Sequence, residues 1–181
     1  VGQNPTVKAF FEAIKKAEGG EENLVVGGKI RVKDLSDHPN IVGLRTSKGP
    51  STAFGSWQIT GSNWFGRGGR PGLKEQLSLT DATEHSQYLA ALKLFSDRDG
   101  GAGLRALLSG DIETAMQVAA KDWTSTPGSK IGGGGQVSKS RWMGYFKNAL
   151  GSSGSAGDSQ PITKSNPMPV AIVDYGNGVD F

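Results

Sequence analysis

The chain contains no cysteine. That excludes disulfides and thiolate metal sites, and it leaves both reducing and oxidising compartments open. Histidine is nearly absent. The two present, His38 and His85, stand far apart, so a two-histidine metal site is not expected unless the fold joins them. Neither a metal nor a cofactor is called for. No apolar run approaches the length of a membrane span, so stable membrane insertion is not expected. No secretory leader is visible. Apolar residues make up only 35% of the chain, while its 28 glycines gather in clusters, so loops take a large share. A dense basic run is missing as well. Lysine and arginine (20) exceed aspartate and glutamate (17), giving a net charge of +3, but they are scattered. The mild excess favours anionic partners such as nucleic acid or an anionic cell-wall polymer. The lack of any nucleic-acid-binding motif argues against the first.

The 181 residues suit one domain with an appendage. Val7, Phe10, Phe11, Ile14 and Ala17 recur at helical spacing, which predicts a helix over 6–18 with Thr6 as its cap. Leu24 to Val32 reads as a short hairpin or irregular strand pair around Gly27–Gly28. Residues 33–58 are rich in turns, 57–65 suggest a short helix, and 66–72 a loop. Helices then dominate. One opens at Asp81 with Glu84 three residues on, as in a capping box, and its core face is Ala82, Tyr88, Leu89, Leu92 and Phe95. Leu104 to Leu108 is an apolar turn. Asp111 caps another helix carrying Ile112, Ala115, Met116, Ala119 and Trp123. A last helix starts near Ser138 and turns Trp142, Tyr145, Phe146 and Leu150 inward. The order predicts an α+β domain over 1–150, mainly helical, with a small β lobe inserted after the first helix. Residues 151–181 read as a Gly/Ser-rich linker and C-terminal tail.

Within the first helix the stretch Ala13–Gly20 poses a chemical question. Glu18 lies four residues after Ile14 and seven after Phe11, so it shares their apolar face. Partial desolvation and the negative end of the helix dipole both favour its protonated form. Such a carboxyl is a candidate general acid. A solvated last-turn glutamate beside a glycine cap is the plain alternative, since most charged residues are exposed.

Four segments run in the same order as in a known family: Ala17-Glu18-Gly19; Val26-Gly27-Gly28 with Ser36-Asp37-His38-Pro39; Ser51-Thr52-Ala53-Phe54-Gly55-Ser56-Trp57-Gln58-Ile59; and Trp123-Thr124-Ser125-Thr126-Pro127-Gly128. Collinear over about 8–150, they resemble the lysozyme of bacteriophage lambda and its relatives, the phage lytic transglycosylases. The resemblance implies a lysozyme-like fold and a single essential acid at Glu18. It also implies cleavage of the β-1,4 bond between N-acetylmuramic acid and N-acetylglucosamine, giving 1,6-anhydromuramyl ends. Ordinary glycosidases instead need paired carboxylates, either about 5 Å or about 6.5–9.5 Å apart.

By the same resemblance Gln58 matches a motif glutamine placed to meet the acid and a substrate acetamido group. Ser51 and Thr52 would line the cleft, and Phe54 would pack. Trp57 stands where the family has tyrosine, and Ser56 where it has arginine, so Trp57 either stacks on a sugar or belongs to the core. Asp37 is a rival second carboxylate or the organiser of its turn; Asp34 is a weaker case of the same kind. His38 could touch substrate or brace the turn. The glycines before Gln136 suggest a lip over the cleft, with Gln136 a possible contact, and Trp123 reads as core. The partner is the peptidoglycan glycan strand, met in the bacterial periplasm or cell wall by a phage-encoded, monomeric domain. Alternatives are a muramidase on the same fold and a catalytically silent wall-binding module. The start at Val1 and the linker lean toward a piece of a longer, virion-associated lysin rather than a free endolysin.

Overall fold

The computed structural model describes residues 1–46, 49–131 and 136–153. The first helix, α1 (Pro5–Glu18), buries Val7, Ala9, Phe10, Phe11, Ala13 and Ile14. Its cap is Asn4 rather than Thr6. Asn4 Oδ1 accepts the N–H groups of Thr6 and Val7 at 2.9 and 3.3 Å, and Pro5 follows at the position where its missing N–H costs nothing.

A small β lobe follows. Leu24 bridges Arg31 across the Gly27–Gly28 turn, and Val25 bridges Phe54, so the irregular strand pair anticipated there is present in reduced form. The stretch read as rich in turns also carries a hairpin, β1 (Leu44–Thr46) against β2 (Gly49–Ser51), antiparallel with Leu44 opposite Ser51. The helix expected over 57–65 is shortened to α2 (Gly61–Phe65), capped by Thr60. What precedes it is a tight loop closed by the Phe54–Ile59 bridge. The 66–72 loop contains a second hairpin, β3 (Gly66–Arg67) with β4 (Arg70–Pro71), leading into α3 (Leu73–Gln76).

The helical body comprises α4 (Glu84–Asp97), α5 (Ala102–Leu108), α6 (Ile112–Ala119) and α7 (Lys139–Ser153). Asp81 does not open α4; its Oδ1 instead accepts the Thr83 N–H, the Thr83 hydroxyl and the Ser86 hydroxyl. Glu84 makes no capping box, because its N–H donates to Glu22 Oε1 at 2.8 Å. Asp111 caps α6 as its spacing foretold, accepting the Thr114 N–H at 3.0 Å. Helix α7 continues past Leu150, which is exposed, to Ser153. The rest of the expected linker and tail lies outside the described residues.

One core joins these parts. α1 packs on α7, with Phe10 wedged between Phe95 (ring centroids 5.3 Å) and Trp142 (5.2 Å). Phe11 meets Tyr88 and Trp123 edge-on. Burial of each such aromatic stabilises the fold by about 1.5–3 kcal/mol. Among the described residues no helix is long and apolar enough to cross a membrane.

Candidate active site

Helix α1 ends on Glu18 because Gly19 takes the left-handed conformation (φ 63°), and Gly19 and Gly20 donate their N–H groups to the carbonyls of Lys16 and Lys15. The chain then passes hard against the loop at 55–56. A Cβ on Gly20 would lie 2.0 Å from the Ser56 carbonyl oxygen. No other residue type fits there without moving backbone.

Glu18 is partly buried, and its Oε1 accepts the backbone N–H of Ser125 at 3.1 Å. Burial raises its pKa above the ordinary glutamate value, and hydrogen bonding from Ser125 opposes that rise without cancelling it. Among the described residues no cation and no second acid bonds to this carboxyl. Among the described residues the hydroxyls of Ser56 and Thr126 are buried without a hydrogen-bond partner.

The loops around Glu18 are tied by indole hydrogen bonds. Trp57 Nε1–H donates to the Phe11 carbonyl and Trp123 Nε1–H to the Trp57 carbonyl, both at 2.9 Å. The Ser56 N–H donates to Gln87 Oε1 at 2.7 Å, while Gln87 Nε2 holds the carbonyls of Glu22 and Ala82. Gln87 and Ser125 were missed in the sequence. The only signal for Gln87 is a polar residue interrupting the inward face of α4; for Ser125 it is the backbone N–H that matters, which no side-chain pattern reveals.

The remaining sequence candidates divide. Gln58 adopts positive φ (50°) and stands in the loop against which Gly20 packs. Its Nε2 donates to the carbonyls of Gly55 and Leu24, not to Glu18, which leaves Oε1 as the available acceptor. The Thr52 hydroxyl accepts the Gly61 N–H at 3.0 Å and so anchors the start of α2. Ser51 ends β2 and bonds locally to Ala53. Gln136 donates to the Ser129 carbonyl, and the neighbouring Val137 N–H to the Ser125 carbonyl, which brings this segment beside the acid. The glycines of the expected lip lie outside the described residues.

Two assignments need correcting, and a third is redirected. Trp57 is 2% exposed, with its indole turned into the core and Lys15 over its ring, so it offers no face to a sugar. His38 is buried: Nδ1 accepts the Asn40 N–H, so Nε2 carries the proton and donates to the Ile59 carbonyl. Its pKa is lowered by burial, partly offset by Ile59 and Asp37. Asp37 bonds to Lys74, to the Trp64 indole N–H (2.8 Å) and to the His38 N–H (2.8 Å). Partial burial pushes its pKa up, but these donors outweigh it and hold the carboxylate below its ordinary value. It is a turn organiser. Asp34, fully exposed, receives the Ser36 N–H.

A helical body, an inserted β lobe and one desolvated acid at the end of the first helix make up the architecture of a lysozyme-like lytic enzyme of the cell wall. The chain belongs to the endolysin family, whose model matches residues 8–153. It is similar to the lysozyme of bacteriophage lambda solved in complex with a chitohexasaccharide, at 27% identity and a TM-score of 0.71, covering 82% of this chain and 96% of that one. A second structure of lysozyme from bacteriophage lambda matches at 24% identity and a TM-score of 0.62, over 83% of this chain and 93% of that one, a likeness of fold. No curated protein sequence matches the chain.

Proposed function

We propose that the protein is a lytic transglycosylase of peptidoglycan, with Glu18 as its general acid and base. The observation that carries this reading is the solitary, desolvated Glu18 carboxyl, set against an Asp37 already held ionised by Lys74 and Trp64. Protonated Glu18 gives its proton to the glycosidic oxygen as the bond to the muramyl anomeric carbon breaks. The resulting carboxylate takes the proton of the muramyl 6-hydroxyl, whose oxygen closes on the same carbon. The products are a 1,6-anhydromuramyl end and a free N-acetylglucosamine 4-hydroxyl, with no water consumed. The acid returns protonated, so one carboxyl serves both halves. Gln58 Oε1 is free to accept an acetamido N–H, and Ser51, Thr52 and Gln136 border the cleft. The glycan bound to the lambda lysozyme supports a polysaccharide as the substrate.

The test is a digest of purified Gram-negative peptidoglycan analysed by mass spectrometry, with Glu18→Gln alongside. Products one water lighter than hydrolytic fragments are expected from the parent and at least about 10²-fold less from the variant. Reducing muramic acid ends would replace this reading with a muramidase, and absence of any product from the parent would replace it with a wall-binding module.

A further inference from the structure

The hairpin β3–β4 turns through Gly68 and Gly69, both at positive φ (61° and 77°), as a tight two-residue connection requires. Its register sets Arg67 directly opposite Arg70, so the two guanidinium groups share one face of the ribbon. Both residues are exposed, and neither has an ion pair or side-chain hydrogen bond among the described residues. Like charges placed opposite one another are destabilising. Some other cations of the protein are paired, as in Lys15–Glu84, Arg98–Asp122 and Lys121–Asp99.

The arginines border an open cavity of about 560 Å³, together with Ser62, Asn63, Gln76 and Asp97. Asp97 does not neutralise them, because Lys93 Nζ bonds both of its oxygens at 2.8 and 2.6 Å. The base of the ribbon is fixed. Gln76 Nε2 donates to the Pro71 carbonyl at 2.8 Å, and a Cβ on Gly72 would lie 2.2 Å from the Trp64 carbonyl oxygen. Among the described residues nothing lies within 4 Å of a Cβ at Gly68 or Gly69, so the turn tip stands clear of them. None of the residues around Glu18 lines this cavity.

Paired arginine forks beside neutral amide and hydroxyl groups suit a group with several oxygens that can accept bidentate hydrogen bonds. We infer that the β3–β4 face and its cavity form an oxyanion-binding site, separate from the Glu18 centre, for phosphate or carboxylate groups carried on the wall polymer. The carrier rests on the function proposed above; the oxyanion chemistry does not. Bridging by one oxyanion converts the repulsion between Arg67 and Arg70 into attraction and tethers the enzyme to its substrate.

The chemistry is tested by titrating isotope-labelled protein with inorganic phosphate and, separately, acetate, while following the Nε–H signals of Arg67 and Arg70 and the Asn63 amide. Saturable shifts are expected. They should weaken about tenfold in either Arg67→Gln or Arg70→Gln and vanish in the double variant, with the Arg→Lys pair intermediate because charge without the fork is retained. Absence of saturable shifts, or shifts that survive the double substitution, would overturn the site. The carrier is tested by co-sedimentation of the Glu18→Gln protein with walls, untreated, stripped of phosphate with hydrogen fluoride, or amidated at their carboxylates. Loss of arginine-dependent binding after stripping assigns phosphate; loss after amidation assigns carboxylate. Sedimentation indifferent to the double arginine substitution would overturn the wall polymer as carrier. A parent enzyme that shows the phosphate shifts yet yields no anhydromuramyl product would sink the transglycosylase reading and leave the oxyanion site standing.

Discussion

Glu18 and Asp37 are acids of the same chemistry given opposite surroundings. Glu18 is partly buried, receives one backbone N–H and, among the described residues, bonds to no cation. Asp37 is more open, paired with Lys74 and bonded by Trp64 and His38. Desolvation prevails at the first and hydrogen bonding at the second, so their pKa values move apart. A pair separated in this way marks which acid is the better proton donor and which stays charged.

The largest expected effect breaks the comparison at its reactive end. Glu18→Gln should lower wall-cleaving turnover about 10²–10⁴-fold, read as the rate of anhydromuramyl release. The same variant should melt higher than the parent at neutral pH. With its folded pKa above the unfolded one, Glu18 contributes stability that is present at low pH and lost as pH rises through the folded value. The gap between the two proteins should therefore close as pH drops below the ordinary glutamate range, in melting curves taken across pH. Parent turnover should fall along the same alkaline limb, since the proposed reaction starts from the protonated acid.

Next in size is Gly20→Ala. The added methyl collides with the Ser56 carbonyl, and overpacking of this kind costs about 1–3 kcal/mol, measurable as a drop in denaturation midpoint. Asp37→Asn should cost about 1 kcal/mol, because the Trp64 and His38 bonds survive and only the half-exposed pairing with Lys74 is lost. Its turnover should stay within about tenfold of the parent. If instead Asp37→Asn abolished cleavage in a folded protein, the contrast would collapse and a two-carboxylate hydrolase would take its place. The smallest effect belongs to Ser125→Ala. The N–H that contacts Glu18 remains and only the hydroxyl is removed, so stability should change by no more than about 1 kcal/mol. A larger loss in either stability or rate would show that the hydroxyl bonds the acid in solution.

Much of this was legible in the chain because it depends on near neighbours. The apolar stripe of α1 placed Glu18 on its inward face, and Asp111 announced α6, since periodicity and capping are local. What stayed hidden depends on partners far away in sequence. Trp57 reads equally as a sugar platform or as core until the Phe11 carbonyl, on another element, is seen to hold its indole. Asp37 becomes a turn organiser only once Lys74 and Trp64 arrive. The β3–β4 hairpin carried a usable local sign, the Gly68–Gly69 pair between two arginines, masked by the abundance of glycine around it. The true cap of α1 lay just outside the apolar pattern, at Asn4.

The indoles have a further consequence, for optical measurement. All four tryptophans, Trp57, Trp64, Trp123 and Trp142, are 2% exposed or less. Intrinsic fluorescence should be blue-shifted and resist quenching by acrylamide, and its red shift should track global unfolding. Saturating the cleft with an oligosaccharide should leave that emission nearly unchanged, so binding titrations call for an extrinsic dye or a labelled sugar.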